Sequence, residues 1–439
     1  MPLRFVDLDA RIREGVGQVA AAEADPRDPL AGLYVSDEQA LSLAADDPPA
    51  HVDERLAQLA RLLGLDELEQ AVLAVCAAPE VSWRYGRLYG YLHDDMTRQL
   101  ASPRLAGALL AGGTVAGEDV LRCLAAEGTL RRSGAVTMLE EPRLVLAERP
   151  LKCADLIAAA LIGAGLADSR PPMCEVVSVP SLAPAAAPVI DELRGALAAG
   201  SELTLALAGQ DAPAALAFAL GRELLLASAA GLVDATALAG ARLAAILCGR
   251  VLAFCGLERL QPAQRDAALA LLDAESERTL VCIESADDGA VLGGRPALLV
   301  RIPALGLPER RAAWSAFAQG GDVGDVAVKF RLSLTQIEHA AAIARASARA
   351  RGADVPDARD LDGGARGASR HGLAGLASRV DGQAGWDGLV VPERALRSLR
   401  TISAFLRNRD SVLLEWGGGG APSSPHSSST LSRLRRKAE

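Results

Sequence analysis

Residues 203–216 read LTLALAGQDAPAAL, and the fold class follows from this stretch and its echoes further along. A short apolar run, 203–209, ends in glycine and passes directly into a helix-forming segment. The runs VLAFCGL (251–257), TLVCIES (279–285) and ALLVRIP (297–303) repeat the theme, with the helical QPAQRDAALALLDAES (261–276) between two of them. Strands covered on both faces lose the apolar–polar alternation of a one-sided sheet, and crossover helices of ten or more residues join parallel strands. The expectation is a doubly wound α/β domain over residues 171–350, entered through a Pro/Ala-rich connection, PPMCEVVSVPSLAPAAAP (171–188). LPERRAAW (307–314) and SLTQIEHAAAIARASARARG (333–352) predict helices without intervening strands, a helical lid. The polar, glycine-rich 351–372 reads as a linker.

The same stretch stands where a phosphate-binding loop belongs. Such a loop needs glycines that let backbone N–H groups wrap phosphate oxygens, a lysine for the outer phosphates, and a hydroxyl for magnesium. Gly209 occupies the first glycine position, but Ala214, Ala215 and Leu216 stand where Gly, Lys and Ser or Thr are required. The acidic pair expected at the end of the next chemical strand is replaced by Cys255 and Gly256, with Glu258 displaced. Two independent parts of the machinery are missing, so no catalytic residue is assigned.

Toward the N-terminus, residues 1–50 carry one amphipathic helix and a Pro/Asp-rich loop. Residues 51–150 show successive amphipathic helices, VDERLAQLARLLGL (52–65), DELEQAVLAVCAA (66–78) and WRYGRLYGYLHDD (83–95), followed by two shorter ones. GTLRRSGAVTMLE (128–140) and PRLVLAERP (142–150) then predict the two strands of a hairpin. Helices followed by a small hairpin form the winged-helix pattern. Tyr85, Leu88, Tyr89 and Leu92, at helical spacing, predict a core stripe rather than a stacking surface. The wing offers mainly Arg131 and Arg132, so protein docking outweighs DNA binding.

Composition narrows the classes. Half the residues are apolar, aromatics are 3%, and the net charge is −9. A generally nucleic-acid-binding surface is disfavoured. The seven cysteines are scattered without a CxxC pair and the five histidines lie in unrelated contexts, which predicts a reduced, cytoplasmic chain without a metal site or a Ser/His/Asp triad. The longest apolar stretch, LIAAALIGAGLA from Leu156, is too short to cross a bilayer.

The order of helical winged-helix-like region, sheet domain with eroded phosphate loop, LPERRAAW before a lid, WDGLVVP (386–392) and LRNRDSVLLEWG (406–417) resembles the large AAA-family ATPases that accompany bacterial contractile, phage-tail-like injection systems. The resemblance implies a degenerate first AAA module and, from 373 to 416, the opening of a second. It implies ATP and magnesium as family cofactors, a ring-forming homo-oligomer in the full-length family, and Trp386, Asp387, Gly388 and Leu389 beside the adenine. Residues 417–439, GGGGAPSSPHSSSTLSRLRRKAE, depart from that pattern. They predict a disordered tail and a chain truncated before its P-loop. Gly209 is, with residues 386–389, a candidate nucleotide-contacting residue, but the eroded loop is expected not to hold ATP and magnesium in this chain. ERALRSLRTISAFLRNR (393–409) predicts a basic amphipathic helix whose Leu396, Leu399, Ile402 and Leu406 face packs inward. Three functions stay open: an ATP-driven remodelling factor of a protein assembly reduced to its regulatory half, a non-catalytic docking adaptor that binds a protein through residues 51–150, and a winged-helix DNA-binding regulator.

Overall fold

A computed structural model describes residues 4–22, 36–45, 51–110, 117–166, 170–199, 203–232, 234–273, 279–285, 291–369, 386 and 391–415. The chain forms two compact units, Met1–Ile302 and Pro303–Glu439.

The first unit begins with a helical region: α1 (Phe5–Ala22), α2 (Asp37–Ala45), α3 (Val52–Leu63), α4 (Glu67–Val81), α5 (Trp83–Leu92), α6 (Pro103–Leu110), α7 (Gly117–Cys123) and α8 (Thr129–Arg132). Strands β1 (Val136–Met138) and β2 (Leu151–Cys153) and helix α9 (Asp155–Ile162) follow. The start of α4 is fixed by a capping box, in which Asp66 accepts from the Glu69 N–H at 2.7 Å and Glu69 accepts from the Asp66 N–H at 3.1 Å. Tyr85, Leu88 and Tyr89 are fully buried, and the Tyr89 hydroxyl donates to the Val75 carbonyl at 2.8 Å. The core stripe is therefore present.

Phe5, Leu8, Ile12 and Val16 of α1 share one core with α3–α6. One expectation needs correction here: the hairpin pairs Val136 with Cys153 and Met138 with Leu151 in antiparallel register, so its second strand is LKC rather than PRLVLAERP. Thr129–Arg132 is a helix and Leu146–Glu148 a single 3-10 turn. Local apolar density marked the right neighbourhood, but strands of three residues are fixed by pairing rather than by pattern.

The second half of this unit is the sheet domain: β3 (Cys174–Val177), α10 (Ala187–Ala198), β4 (Thr204–Ala208), α11 (Ala212–Leu220), β5 (Leu224–Ser228), α12 (Ala235–Leu247), β6 (Val251–Cys255), α13 (Pro262–Asp273), β7 (Leu280–Ile283) and β8 (Ala297–Arg301). The six strands run in the order β3-β5-β6-β7-β4-β8. All pairings are parallel except that of β3 with β5.

The alternation along β4 shows why the run lacks a polar face. Leu205 and Leu207 enter a core with α10 and α11, while Ala206 and Ala208 enter a second core with α13. Helix α12 covers Leu225, Ala227 and Phe254 on that second side. The doubly covered, parallel-rich sheet is thus as expected. Strands β3 and β5 were missed, because CEVV lies in a proline-rich stretch and LLLAS follows α11 after only three residues. Gly221, left-handed at φ 62°, ends α11 and frees that second run. Leu243 of α12 belongs to the helical region's core as well, which makes the helical region and the sheet one unit.

In the second unit lie α14 (Leu307–Ala318), α15 (Gly324–Lys329), α16 (Leu334–Ala350), α17 (Ala358–Ala368) and α18 (Glu393–Glu415). Trp314 is fully buried. Helix α17 occupies the stretch read as a linker. Asp357 and Asp360 form a capping box at its start, and Gly364 lies so near α16 that a Cβ there would come within 2.2 Å of the Ala340 carbonyl oxygen. Gly364, which lowers helix propensity in DLDGGARGA, is what lets the two helices approach, and the close packing offsets its propensity cost.

Candidate functional site

Three residues, Gly209, Gln210 and Asp211, separate the end of β4 from the start of α11. Gly209 has φ 144° and a Cβ there would meet the Ile302 carbonyl oxygen at 2.2 Å. Its N–H donates to Ile283 of β7 at 3.0 Å, and its carbonyl accepts from Ala212 at 3.1 Å. The glycine serves a backbone crossing between β7 and β8. The Ala215 N–H donates to the Asp211 carbonyl at 2.8 Å. Ala214, Ala215 and Leu216 sit inside α11 and are buried at 3%, 0% and 0% exposure. Helix α11 begins at Ala212, before the positions where the loop's last glycine, lysine and hydroxyl would stand. Neither a cation nor a hydroxyl occupies the positions that would meet the outer phosphates or a metal.

At the neighbouring strand end, Cys255 closes β6 and Gly256 turns the chain at φ 79° into Leu257–Arg259. Burial, with Glu258 adding to it, pushes the Cys255 thiol up to about 11, so it stays protonated at neutral pH and is a poor nucleophile. Arg259 pairs with Glu284 beyond β7 in an exposed ion pair. Among the described residues no group of three His, Cys, Asp or Glu side chains could hold a metal ion.

Trp386 packs under the Arg400 guanidinium, 5.8 Å from its ring centroid. Asp387, Gly388 and Leu389 lie outside the described residues, as do 417–439. On α18 the apolar stripe does not pack as expected: Leu399 and Ile402 are 39% and 53% exposed.

The connection between β1 and β2 is the better-built surface. Leu139 stays in the ladder through a 2.9 Å bond from its N–H to the Pro150 carbonyl. Glu148 then anchors the return of the connection: Arg98 donates to its carboxylate at 2.7 Å and to its carbonyl at 2.8 Å, and Arg104 donates to the same carboxylate. Partial burial raises the Glu148 carboxyl, but the two guanidiniums prevail and hold it below the usual carboxylate range. His93 stands beside this clamp, with Nε2 3.3 Å from the Leu100 carbonyl. Burial, reinforced by Arg98, depresses its pKa.

The anchored segment presents Leu139, Val145 and Leu146 at 39%, 69% and 53% exposure, interspersed with Glu140, Glu141 and Arg143. Trp83 is 66% exposed elsewhere on the same helical region. Sequence reading assigned Val145 and Leu146 to a strand interior and so missed them as surface residues. Arg131 and Arg132, expected on the wing, belong to α8.

Residues 19–170 match the family model described as "Winged helix domain, variant". The N-terminal region is a winged-helix domain. Its match spans the end of α1, α2–α9 and the β1–β2 hairpin with its exposed connection, here called the wing. No curated protein matches the chain. Among the described residues no helix is long and apolar enough to cross a membrane.

Proposed function

We propose that this chain is an AAA-type ATPase relative that works as a protein-docking and regulatory subunit and does not hydrolyse nucleotide at Gly209. The burial of Ala214, Ala215 and Leu216 within α11 carries the second half of this reading, since these positions can offer phosphate no charge and no hydroxyl. The parallel order β5-β6-β7-β4-β8, with the Gly209 strand between β7 and β8, and the helical second unit support descent from an ATP-binding remodelling factor. Cytoplasmic residence fits its seven cysteines, none of which forms a disulfide.

The wing supports the docking half. Its exposed apolar residues lie beside Glu140 and Glu141, carboxylates that would repel a phosphate backbone. A photoreactive amino acid placed at Val145 and irradiated in the native cell should give one discrete protein adduct, lost in Leu146→Asp. Adducts with nucleic acid alone would favour the DNA-regulator alternative and end this reading. In parallel, the purified chain should release no phosphate from magnesium-ATP, and measurable turnover would overturn the non-catalytic assignment.

A further inference from the structure

A cleft of about 770 Å³ lies between α8, the β1–β2 hairpin and α12, within the first unit. Neither the docking wing nor the Gly209 loop lines it. Five basic residues, Arg131, Arg132, Lys152, Arg170 and Arg242, line it against two acidic ones, Glu127 and Asp155. That is a local excess of three positive charges in a chain whose net charge is −9. Buried Leu238 and Leu243 supply an apolar floor.

Not every cation is committed to the fold. Lys152 pairs with Glu80 and Asp155, and Arg242 donates to the Arg132 carbonyl at 3.1 Å, closing α12 onto α8. Arg131 and Arg170 have no ion pair among the described residues. Within the cleft Gly134, at φ 76°, approaches α12 closely: a Cβ there would lie 2.7 Å from the Ala239 carbonyl oxygen. Gly240, on the same helix wall, is the opposite case, because a Cβ added to it meets nothing within 4 Å. A partly open, concave site with guanidiniums around an apolar floor suits a compact organic polyanion.

We infer that this cleft binds a nucleoside polyphosphate, with the phosphates held by Arg131 and Arg170 and the apolar body resting against Leu238 and Leu243. The site is separate from the Gly209 loop and involves no hydrolysis, so it stands or falls independently of the proposed function.

The test is a calorimetric titration of the full chain with ATP in magnesium-free buffer, with inorganic tripolyphosphate as the charge-only probe. ATP should bind at one site, with Kd on the order of 10–100 µM, and tripolyphosphate more weakly. Arg131→Glu should weaken ATP by about tenfold or more. Gly240→Phe should abolish binding by filling the cleft, while Gly240→Ala, which adds a Cβ into open space on a helix, should leave binding intact and not lower the thermal midpoint. No ATP binding at about 1 mM would overturn the inference. So would binding that survives both Arg131→Glu and Gly240→Phe, or an Arg131-dependent short DNA duplex that ATP does not displace.

Discussion

The Arg84 guanidinium donates to Asp9 at 2.7 Å inside the helical region, where both side chains are 5% exposed. It also donates to the Tyr85 hydroxyl at 2.8 Å and to the Leu43 carbonyl at 3.0 Å. One side chain thus ties α1, α2 and α5 together. Removing a single partner of a buried pair leaves an uncompensated charge, whereas replacing both by apolar groups removes the desolvation cost as well. Asp9→Ala should destabilise the first unit by about 3–5 kcal/mol in urea unfolding, and the double variant Asp9→Leu/Arg84→Met should recover most of that loss. Equal losses in the two variants would show that the pair's value lies in packing alone.

The Gly209 crossing yields a second expectation. Gly209→Ala must place a methyl against the Ile302 carbonyl at a φ that L-residues avoid, and should cost about 2–3 kcal/mol. Ala215→Lys restores the lysine of a phosphate loop by sequence alone. Because position 215 is fully buried, it should cost about 3 kcal/mol or more and give no ATPase in a phosphate-release assay. A stable, hydrolysing Ala215→Lys protein would contradict the geometry described for α11.

His93 makes the first unit sensitive to acid. Its folded pKa is depressed by burial, so below about pH 6.5 the unfolded chain binds a proton that the folded chain resists. Stability from this group is complete above the unfolded value and declines as pH falls from there toward the folded one. Denaturant midpoints between pH 7 and 5 should fall with a slope of at most about one proton, and His93→Gln should flatten it. An unchanged slope in that variant would assign the acid sensitivity to other groups.

Glu148 acts at lower pH and on a smaller scale. Arg98 and Arg104 keep its folded pKa depressed, so its contribution is present above about pH 4.3 and is lost as pH falls through the folded value. The pairs are partly solvated, which limits Glu148→Gln to about 1 kcal/mol. The sharper readout is hydrogen exchange, with faster exchange confined to residues 144–149. Global acceleration would mean that Glu148 supports the whole domain rather than its wing.

Legibility in the sequence was uneven for physical reasons. Runs such as LTLALA and VLAFC were readable because a strand buried on both faces must be apolar throughout, and four of the six sheet strands were found this way. Strand β3 was not, since Cys174–Val177 gains its structure from antiparallel pairing with Leu224–Ala227. The helix at 358–368 was hidden because its glycines read as breakers until Ala340 stands opposite Gly364. For the candidate site, the missing lysine and hydroxyl at 215 and 216 were plain in the residues. The exposure of Val145 and Leu146 was not, because an apolar run looks the same whether it enters a core or leaves it.

The sequence by itself determined a doubly covered parallel sheet, helices ahead of a small hairpin, and a glycine-ended strand-to-helix turn without lysine or hydroxyl at 215 and 216, because each depends on residue type and spacing within one local segment. Only the tertiary structure decided that Gly209 serves a crossing with Ile302, that Glu148 holds an apolar wing outward, and that five cations from α8, β2, α12 and the segment before β3 line one cleft. Those relations join residues from tens to more than a hundred positions apart, and such distances are set by how elements pack, which no local pattern encodes.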